Sequence, residues 1–374
     1  MSKKEKTIRI AHIVGKWVGG GVESNLMNYF RNIDRNQVQF DFICDSDSID
    51  IPKEEIESLG GKVIIIPPYQ KVFKYHKELK KVLKNGNYKI VHSHINTLSM
   101  FSLFAAKCAK IPVRIAHSHS TTNKLEWKKN ILKQIFKLFS KMFATHYMAC
   151  TEYAGKWMFG EKEYKKNNIY VLNNAIELDK FKYNEKVRTK VRKELSIKED
   201  TLVIGHIGRF MEVKNHEFLL DTFDEIHKKN NNSILLLAGQ GPLLEKIKKK
   251  VNDLNLNDSV IFLGQRKDIE QIYQAFDVFV LPSLYEGLGM VLIEAQCSGL
   301  PTIASTEVPT IAKVSNNFKF VELNKTKQEW AEVILESVKN YKRHDCIKEC
   351  QQCGYDIKLE SPKLIEYYKN VVGD

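Results

Sequence analysis

Short β-rich runs alternate with helical patterns along this chain, and the alternation occurs twice. In the first half, apolar runs are separated by stretches of helical spacing such as Val22–Arg31 and Phe73–Leu83. Such alternation predicts a parallel sheet with helices on both faces. The strands predicted in this half are Thr7–Val14, Val38–Cys44, Lys62–Ile66, Lys89–His92, Val113–His117 and His146–Cys150.

A highly charged stretch from 183 to 200 interrupts the alternation, and we interpret it as a hinge with a linking helix. The strands predicted beyond it are Leu202–Ile207, Ile234–Ala238, Val260–Leu263, Val278–Leu281 and Thr302–Ser305. A length of 374 residues suits two α/β domains better than one. We therefore expect two doubly wound domains, over 1–182 and 183–357. Such sheets bind ligands at the carboxyl ends of their strands.

The composition excludes several classes of protein. The sequence contains neither a secretory signal pattern nor an apolar run long enough to span a bilayer, so we expect a cytoplasmic protein. The formal net charge is +13, yet no nucleic-acid-binding motif accompanies it, and we expect no nucleic-acid partner. Two explanations of the charge stay open: solvated lysines, or attraction to an anionic membrane surface.

The seven cysteines are scattered, which favours free thiols in a reducing compartment. One local cluster contains His344, Cys346, Cys350 and Cys353. The spacing of its cysteines places them on one face of a helix, so we favour a buried core face over a zinc site.

Two cations and a run of glycines lie where predicted strands end. Gly19, Gly20 and Gly21 open a helix, where bare backbone can approach an anion. Arg209 and Lys214, five residues apart, follow the first strand of the second half. Two fixed cations in such a loop can bind a diphosphate and stabilise it as a leaving group.

Two carboxylates follow a later strand of the same half. Glu286 precedes a turn that contains Gly287 and Gly289, and Glu294 lies eight residues after it on the next helix. Both carboxylates can accept hydrogen bonds from sugar hydroxyls. The alternative is that Glu286 favours the start of the helix and that Glu294 is an exposed helix residue.

A doubled His-Ser-His pattern ends two strands of the first half. His92 and His94 form the first pair, and His117 and His119 the second; within each pair the side chains share a face of the sheet. Because neither segment contains a carboxylate to complete a metal site, we favour hydrogen bonding to a sugar over metal binding. A purely structural role for at least half of these histidines stays open.

Several motifs occur in order over nearly the whole chain: GGGVE, AHSHS, GRFMEVKN, AGQGPL, FLGQRKDI and EGLGMVLIE. Together they resemble the retaining GT-B glycosyltransferases of family 4, and in particular bacterial members that build capsular or exopolysaccharide chains. The resemblance implies two Rossmann-like domains facing a central cleft, with segment 358–374 returning to the first domain. It implies transfer of a hexosyl or N-acetylhexosaminyl group from a nucleotide diphosphate sugar, for which we expect a UDP-sugar. The implied acceptor is a saccharide or a polyprenyl-linked molecule.

The resemblance also implies roles for individual residues. Arg209 and Lys214 hold the diphosphate, Glu286 holds the transferred sugar, and His119 contacts that sugar, with His117 as the alternative. These first four are the implied catalytic residues. The implied donor-binding residues are Gly20, Gly21, His117, Arg266, Ile269, Gly287, Leu288, Gly289, Met290 and Glu294, of which Glu294 holds the ribose. No cofactor and no metal are implied, because the two cations neutralise the diphosphate.

The segment 124–143 predicts a basic amphipathic helix. Trp127, Ile131, Ile135, Leu138 and Met142 follow helical spacing, while lysines recur every four residues on another face. Such a helix suits an anionic membrane surface, which would make the protein peripheral. The alternative is a helix packed on the sheet with a solvated lysine face.

Three other functions remain open. The triplet Asp45-Ser46-Asp47 resembles the metal-binding motif of single-domain glycosyltransferases, although short acidic triplets are common in loops. A nucleotide-sugar epimerase would use the same scaffold without an acceptor. A non-catalytic subunit of a polysaccharide complex is the third alternative, and an intact donor site counts against it.

Overall fold

The computed structural model describes residues 7–119 and 127–373, with only the backbone described over 127–133. The chain divides into two compact units, of which the N-terminal unit contains Met1–Ile176 and Asp356–Asp374. The C-terminal unit contains Glu177–Tyr355. The charged stretch from 183 to 200 therefore belongs to the C-terminal unit.

A seven-stranded sheet forms the centre of the N-terminal unit. Its strands are β1 (Ile8–Gly15), β2 (Val38–Asp45), β3 (Lys62–Ile66), β4 (Ile90–Ser93), β5 (Val113–Ser118), β6 (His146–Ala149) and β7 (Ile169–Val171). All neighbouring strands are parallel, in the order β3-β2-β1-β4-β5-β6-β7. The strand order thus reverses beside β1.

The C-terminal unit repeats this arrangement with six strands. They are β8 (Leu202–Ile207), β9 (Ser233–Ala238), β10 (Val260–Gly264), β11 (Val278–Leu281), β12 (Thr302–Ser305) and β13 (Phe318–Val321). The order is β10-β9-β8-β11-β12-β13, again with all pairs parallel. This is the strand order of a Rossmann fold, with the reversal beside β8.

Sixteen α-helices are described. The first eight are α1 (Gly21–Asn32), α2 (Lys53–Ser58), α3 (Val72–Asn85), α4 (Ser99–Cys108), α5 (Trp127–Phe143), α6 (Glu152–Phe159), α7 (Glu161–Lys165) and α8 (Leu178–Phe181). The others are α9 (Glu185–Glu194), α10 (His216–Lys229), α11 (Leu244–Asp253), α12 (Ile269–Ala275), α13 (Met290–Cys297), α14 (Lys327–Val338), α15 (Ile347–Gln352) and α16 (Ile357–Gly373). No helix in the described part of the chain is both long and apolar enough to cross a membrane.

Helices cover both faces of each sheet, because successive strand residues point to opposite faces. In the N-terminal unit, Ile10 packs in the core that contains Phe30 of α1 and Tyr368 of α16. The next residue, Ala11, packs in a second core that contains Leu79 of α3. The C-terminal unit likewise has two buried cores, and α10, α11 and α14 contribute to one of them.

The predicted pair of Rossmann-like sheets is confirmed, and each of the eleven predicted strands occurs with its ends within one residue. Sequence patterns missed β7 and β13, which are short edge strands. The two units divide a few residues before the predicted boundaries at 182 and 357.

The predicted cysteine-lined helix face needs a correction. Helix α15 begins after Cys346 and ends before Cys353, so the three cysteines do not lie on one continuous helix. Cys346 and Cys350 are buried as predicted, but Cys353 is exposed. The helix is too short because Gly354 has a positive φ of 78° and ends it.

Candidate functional site

The loops after β8 and β11 meet in the C-terminal unit, because these two strands are parallel neighbours at the reversal of strand order. The amide of Leu284 donates a hydrogen bond of 2.8 Å to the carbonyl of Val213. The Asn215 side chain donates one of 3.2 Å to the carbonyl of Pro282. These bonds join the loop that carries Arg209 and Lys214 to the loop that carries Glu286.

Lys214 and Glu286 form an ion pair in this place. The distance from Lys214 Nζ to Glu286 Oε1 is 2.6 Å, and both side chains are mostly buried, with exposed fractions of 18% and 11%. The Ser283 hydroxyl donates a second hydrogen bond, of 2.7 Å, to the same carboxylate oxygen. The structure thus brings together two predicted catalytic residues that are 72 positions apart in sequence.

Arg209 is exposed, and its guanidinium makes no hydrogen bond to any residue that the structure describes. Its backbone is nevertheless held, because the amide of Phe210 donates to the carbonyl of Gln240 at 3.0 Å. The loop of Gln240 lies against this segment: a Cβ on Gly239, whose φ is +141°, would lie 2.1 Å from the Gly208 oxygen. The Arg209 side chain is therefore exposed to solvent, while the backbone that carries it is held in place.

Two buried histidines lie beneath this loop, and the sequence analysis missed both. The rings of His206 on β8 and His216 on α10 pack 4.7 Å apart. A Cβ on Gly208 would lie 3.2 Å from His206 Nε2 and 3.4 Å from Lys214 Cδ. Burial holds the pKa of His206 well below its usual range and lowers that of His216 to about 4, so both rings are neutral. In the sequence, His206 is marked only by its place near the end of a strand, and His216 only by its place at the start of a helix.

The start of α13 is free of its own acidic groups. Gly289, with a φ of +78°, is the residue before the helix, and no side chain caps the first turn. No acidic residue occupies that turn either. Because the first amides of a helix point outward and attract negative charge, this end can receive an anion beside Gly287 and Met290. Leu288 is buried and anchors the turn.

Glu294 lies on the second turn of α13 and is half-buried. The Tyr273 hydroxyl donates a hydrogen bond of 2.8 Å to Glu294 Oε2. Burial raises the pKa of Glu294 to about 7, while the bond from Tyr273 lowers it. This carboxyl therefore changes its charge near neutral pH, in contrast to an exposed glutamate.

The predicted base-binding segment lies between β10 and α12. Arg266 forms a two-pronged ion pair with Asp268, with distances of 2.8 and 2.6 Å. Ile269 is the first residue of α12 and is partly exposed. The guanidinium edge of Arg266 is therefore occupied within its own loop.

The glycine run of the N-terminal unit lies between β1 and α1. Gly20 precedes the helix, and a Cβ added to Gly19 or Gly21 would meet no heavy atom within 4 Å in the described part of the chain. The buried carboxylate of Glu23 accepts a hydrogen bond of 2.9 Å from the amide of Val18. The start of α1 is therefore already occupied in part by the carboxylate of Glu23.

Five histidines form a continuous cluster in the N-terminal unit. Four of them form the two predicted pairs: His92 with His94, and His117 with His119. The fifth, His12 on β1, was missed, although it pairs with His92 across the sheet. In the described part of the chain, the groups of three potential metal ligands are His12, His92, His94 and His94, His117, His119. Neither the cysteine cluster nor Asp45 with Asp47 forms such a group among the described residues.

The acidic triplet after β2 has separate partners. Asp47 forms an ion pair of 2.9 Å with Lys16. Asp45 is buried, and burial raises its pKa to about 6. The two carboxylates of the suggested metal motif therefore differ in environment and in pKa, which is raised for Asp45 and lowered for Asp47 by its hydrogen bond with Lys16.

Helix α5 differs from both predicted arrangements. Its described lysines do not form a solvated face: Lys137 Nζ donates to the Trp157 carbonyl at 3.0 Å, and Lys141 Nζ to the Phe159 carbonyl at 3.1 Å. These carbonyls end α6, where cations are favourable. The exposed side chains are instead apolar, namely Ile135, Leu138, Phe139 and Met142. The side chains of Trp127 and Ile131, also part of the predicted stripe, lie outside the described residues.

Two family models match the chain. The model for Glycosyltransferase Family 4 matches residues 19–180, and the model for Glycosyl transferases group 1 matches residues 187–353.

Relatives match along most of their length. A Bacillus subtilis protein that is named as a glycosyltransferase, EpsF, is 35% identical over 370 residues, which cover 96% of each chain. An Escherichia coli UDP-Gal:alpha-D-GlcNAc-diphosphoundecaprenol alpha-1,3-galactosyltransferase is 27% identical over 87% of this chain and 86% of its own. The Staphylococcus aureus capsular polysaccharide biosynthesis glycosyltransferase CapH is 25% identical over 96% of this chain and 98% of its own.

Solved structures share the fold. HepE of Anabaena, crystallised in complex with UDP-glucose, superposes with a TM-score of 0.80 at 18% identity, covering 97% of this chain and 100% of HepE. The lipopolysaccharide glycosyltransferase WaaG has a TM-score of 0.68 at 15% identity, with 98% and 99% of the two chains covered. At these identities the likeness concerns the fold.

Proposed function

This chain belongs to the family 4 glycosyltransferases, and its relatives include two that are named for capsular polysaccharide biosynthesis. We propose that it acts in capsular or exopolysaccharide synthesis and uses a UDP-sugar as donor. It transfers a hexosyl or N-acetylhexosaminyl group, with retention at the anomeric carbon, to a saccharide or polyprenyl-linked acceptor. The observation that carries this proposal is the Lys214–Glu286 pair, together with an exposed Arg209 on the same loop whose guanidinium has no partner among the described residues. A nucleotide-sugar epimerase is not favoured by the family, and a non-catalytic subunit would not need this pair.

Arg209 and Lys214 bind the donor diphosphate and stabilise the charge that develops on it as the sugar leaves. An exposed guanidinium offers a fork of donors to phosphate oxygens. The start of α13, with Gly287, Gly289 and Met290, adds outward-pointing amides. Glu286 accepts hydrogen bonds from the transferred sugar, and Glu294 accepts them from the ribose.

The remaining proposed donor contacts involve the base, the turn before α13 and the N-terminal unit. Arg266 and Ile269 lie beside the base, and Leu288 supports the turn before α13. In the N-terminal unit, the amides of Gly20 and Gly21 approach the phosphates, and His119 contacts the sugar. His117 is fully buried, whereas His119 is partly exposed, which supports His119 as the sugar contact.

Substitution at Glu286 and Arg209 separates sugar positioning from diphosphate binding. We expect Glu286→Gln to lower kcat by about 100-fold, close to 3 kcal/mol of transition-state stabilisation, with UDP binding unchanged or tighter because a negative charge is removed. Arg209→Ala should weaken UDP binding and lower kcat together. Steady-state kinetics and calorimetry measure both quantities, after a thermal-shift screen of UDP- and GDP-sugars has identified the donor.

The exposed Lys246→Ala, which removes an ion pair with Glu217 elsewhere in the same unit, serves as the control and should keep both values. Full turnover in Glu286→Gln, or a sugar adduct trapped on Glu286, would contradict the assigned role. A product of inverted configuration in the NMR spectrum would contradict retention.

We propose that transfer needs no metal ion and no cofactor, since the two cations neutralise the diphosphate. Activity should therefore persist in excess EDTA. Loss of activity in EDTA, with recovery on addition of Mg²⁺ or Mn²⁺, would show that this proposal is wrong. An Asp47→Asn variant then tests whether the triplet after β2 binds that ion.

The raised pKa of Glu294 makes donor binding depend on pH. Ribose hydroxyls donate to the ionised carboxylate, so the bound state has a lower Glu294 pKa than the free state, where it is about 7. Affinity for the nucleotide sugar should therefore fall as pH decreases below 7, by at most about tenfold per pH unit, with proton uptake on release. A nucleotide sugar suits this test, because its diphosphate does not titrate near neutrality.

Calorimetry between pH 5.5 and 8 measures this dependence, and Glu294→Gln is the matched variant. Its neutral amide cannot ionise, so its weaker affinity should be constant over the same range. An equal pH dependence in both proteins would assign the titration to another group.

We also propose that α5 places the N-terminal unit on an anionic membrane, where a polyprenyl-linked acceptor resides. The exposed fractions of Leu138 and Met142 are 68% and 58%, unusually large for apolar side chains. Helix α4 contacts both α3 and α5, and the ring of Phe104 on α4 packs against His76 and Phe143 on these neighbours. The apolar side chains thus belong to a surface of three adjacent helices.

The charge of this surface favours anionic lipid over a protein partner of mixed charge. The sequence of α3 contains five lysines and a single acidic residue, Glu78, and four of these lysines are exposed, namely Lys74, Lys77, Lys81 and Lys84. The sequence of α5 contains no acidic residue. Exposed apolar side chains on a surface that also carries exposed lysines are the features of an interfacial site.

Vesicle flotation tests this proposal with the variant Leu138→Ser/Met142→Ser, which changes only exposed side chains. We expect the wild type to float with phosphatidylglycerol vesicles and much less with phosphatidylcholine, and the variant to lose most of its binding. Ile311→Ser, which removes an exposed apolar side chain from the C-terminal unit, is the control. Unchanged flotation of the double variant would show that α5 is not the membrane contact.

A further inference from the structure

The five histidines of the N-terminal unit are joined by hydrogen bonds into two separate paths. In the first path, His12 Nδ1 lies 2.9 Å from His94 Nε2, and His94 Nδ1 lies 2.9 Å from His119 Nε2. The second path runs from the Tyr368 hydroxyl through His92 to His117, with distances of 2.7 and 3.0 Å. Only the first path reaches the proposed sugar contact.

The strands place these rings in contact. His12 and His92 are register partners on β1 and β4, and the rings of His92 and His94 lie 4.1 Å apart. The rings of His117 and His119 stack at 3.9 Å. Of the five, only His119 retains a partly exposed surface, so it is the end of the first path that can meet a ligand.

All five imidazoles are neutral at physiological pH. Burial lowers the pKa of His12 and of His119 to about 3, and it holds the pKa of His94 well below the usual range. Neighbouring imidazoles add to this effect at His94. A neutral imidazole has one N–H donor and one acceptor nitrogen, so fixing the proton on one ring of the path fixes it on the next.

The buried end of the path determines its direction. His12 Nε2 is buried and has no hydrogen-bond partner among the described residues. A buried N–H without a partner is rarer in proteins than an unpartnered acceptor, so His12 Nε2 is the unprotonated nitrogen. The proton of His12 then lies on Nδ1 and is donated to His94 Nε2, and the proton of His94 lies on Nδ1 and is donated to His119 Nε2.

We propose that His12 and His94 are positioning residues that hold His119 as the tautomer protonated on Nδ1, with this N–H free to donate to an oxygen of the transferred sugar. Nδ1 of His119 has no partner within the described part of the chain, which agrees with a donor reserved for a ligand. The contact with a sugar rests on the proposed function, whereas the tautomer does not.

Nitrogen-15 NMR of the ligand-free protein, labelled at histidine, tests the tautomer without any assay of transfer. Comparison with His119→Asn identifies the two ring-nitrogen signals of His119. We expect a protonated Nδ1 and an unprotonated Nε2 for His119, and the protonated Nδ1 also for His94. A protonated Nε2 on His119, or displacement of these signals by added Zn²⁺ at stoichiometric concentration, would overturn the proposal.

Two variants at position 94 distinguish the hydrogen bond from simple filling of space. The amide of His94→Asn takes the place of Nδ1 and can still donate to His119, whereas the amide of His94→Gln takes the place of Nε2 and can reach only His12. We expect His94→Gln to lower kcat by about tenfold or more, with a smaller change in donor KM, and His94→Asn to retain most of the activity. A role in packing alone predicts the reverse, since Gln is closer to His in volume.

Ser93→Ala is the matched control, because Ser93 is buried and directly precedes His94 at the end of β4. Its hydroxyl bonds to Ser99 and Ser102 instead of to the histidines. Its melting temperature should fall as much as that of the His94 variants, with kcat unchanged. If wild-type protein shows the expected tautomer but no glycosyl transfer, the proposed function fails and the positioning of His119 stands. If Gln and Asn at 94 lower kcat equally, the positioning role is wrong.

Discussion

In each sheet, the first strand pairs in parallel with two neighbours whose following helices cover opposite faces. β8 lies between β9 and β11, and β1 lies between β2 and β4. At such a reversal the loops that leave the carboxyl ends of adjacent strands diverge, so side chains on them can surround a ligand. The bond from the Leu284 amide to the Val213 carbonyl keeps two of these loops together, and the Lys214–Glu286 pair depends on it.

The ionisable side chains of the candidate sites lie in different environments in the two units, because they differ in burial. A buried charge is costly unless it is paired, so the five imidazoles of the N-terminal unit remain neutral and bond to one another. In the C-terminal unit, Lys214 is paired with Glu286, while Arg209 is exposed to solvent. Neutral donors suit an uncharged sugar, and cations suit a diphosphate.

Much of this fold was predictable because buried parallel strands are short apolar runs between helical patterns. The strands Lys62–Ile66 and Leu202–Ile207 occur with the predicted ends. The edge strands β7 and β13 were missed, since β7 has only three residues and β13 contains the exposed Lys319. Short edge strands lack the continuous apolar pattern that identifies central ones.

The contacts within the candidate sites were less predictable, because they depend on strand pairing between distant segments. A lone histidine in a strand such as His12 gives no signal until β1 is placed beside β4, and only then does it meet His92. Helix α5 shows a second limit. Helical periodicity separated its lysines from its apolar side chains correctly, but it could not show that α6 ends beneath Lys137 and Lys141. The carbonyls there draw the lysines inward and leave Leu138 outward.

The proposed division of labour between Arg209 and Lys214 follows from the shapes of the two cations. An ammonium has three donors that point in different directions, so Lys214 can keep its bond to Glu286 and still donate to a phosphate oxygen. The pair then orients Lys214 before the donor arrives and does not have to break. A planar guanidinium is better at holding two oxygens side by side, and this requires a free edge. Among the described residues Arg209 has no partner for this edge, whereas Arg266 uses its edge to bind Asp268. Under the proposed function, Arg209 is therefore the main diphosphate contact, and Lys214 couples the diphosphate to the sugar through Glu286.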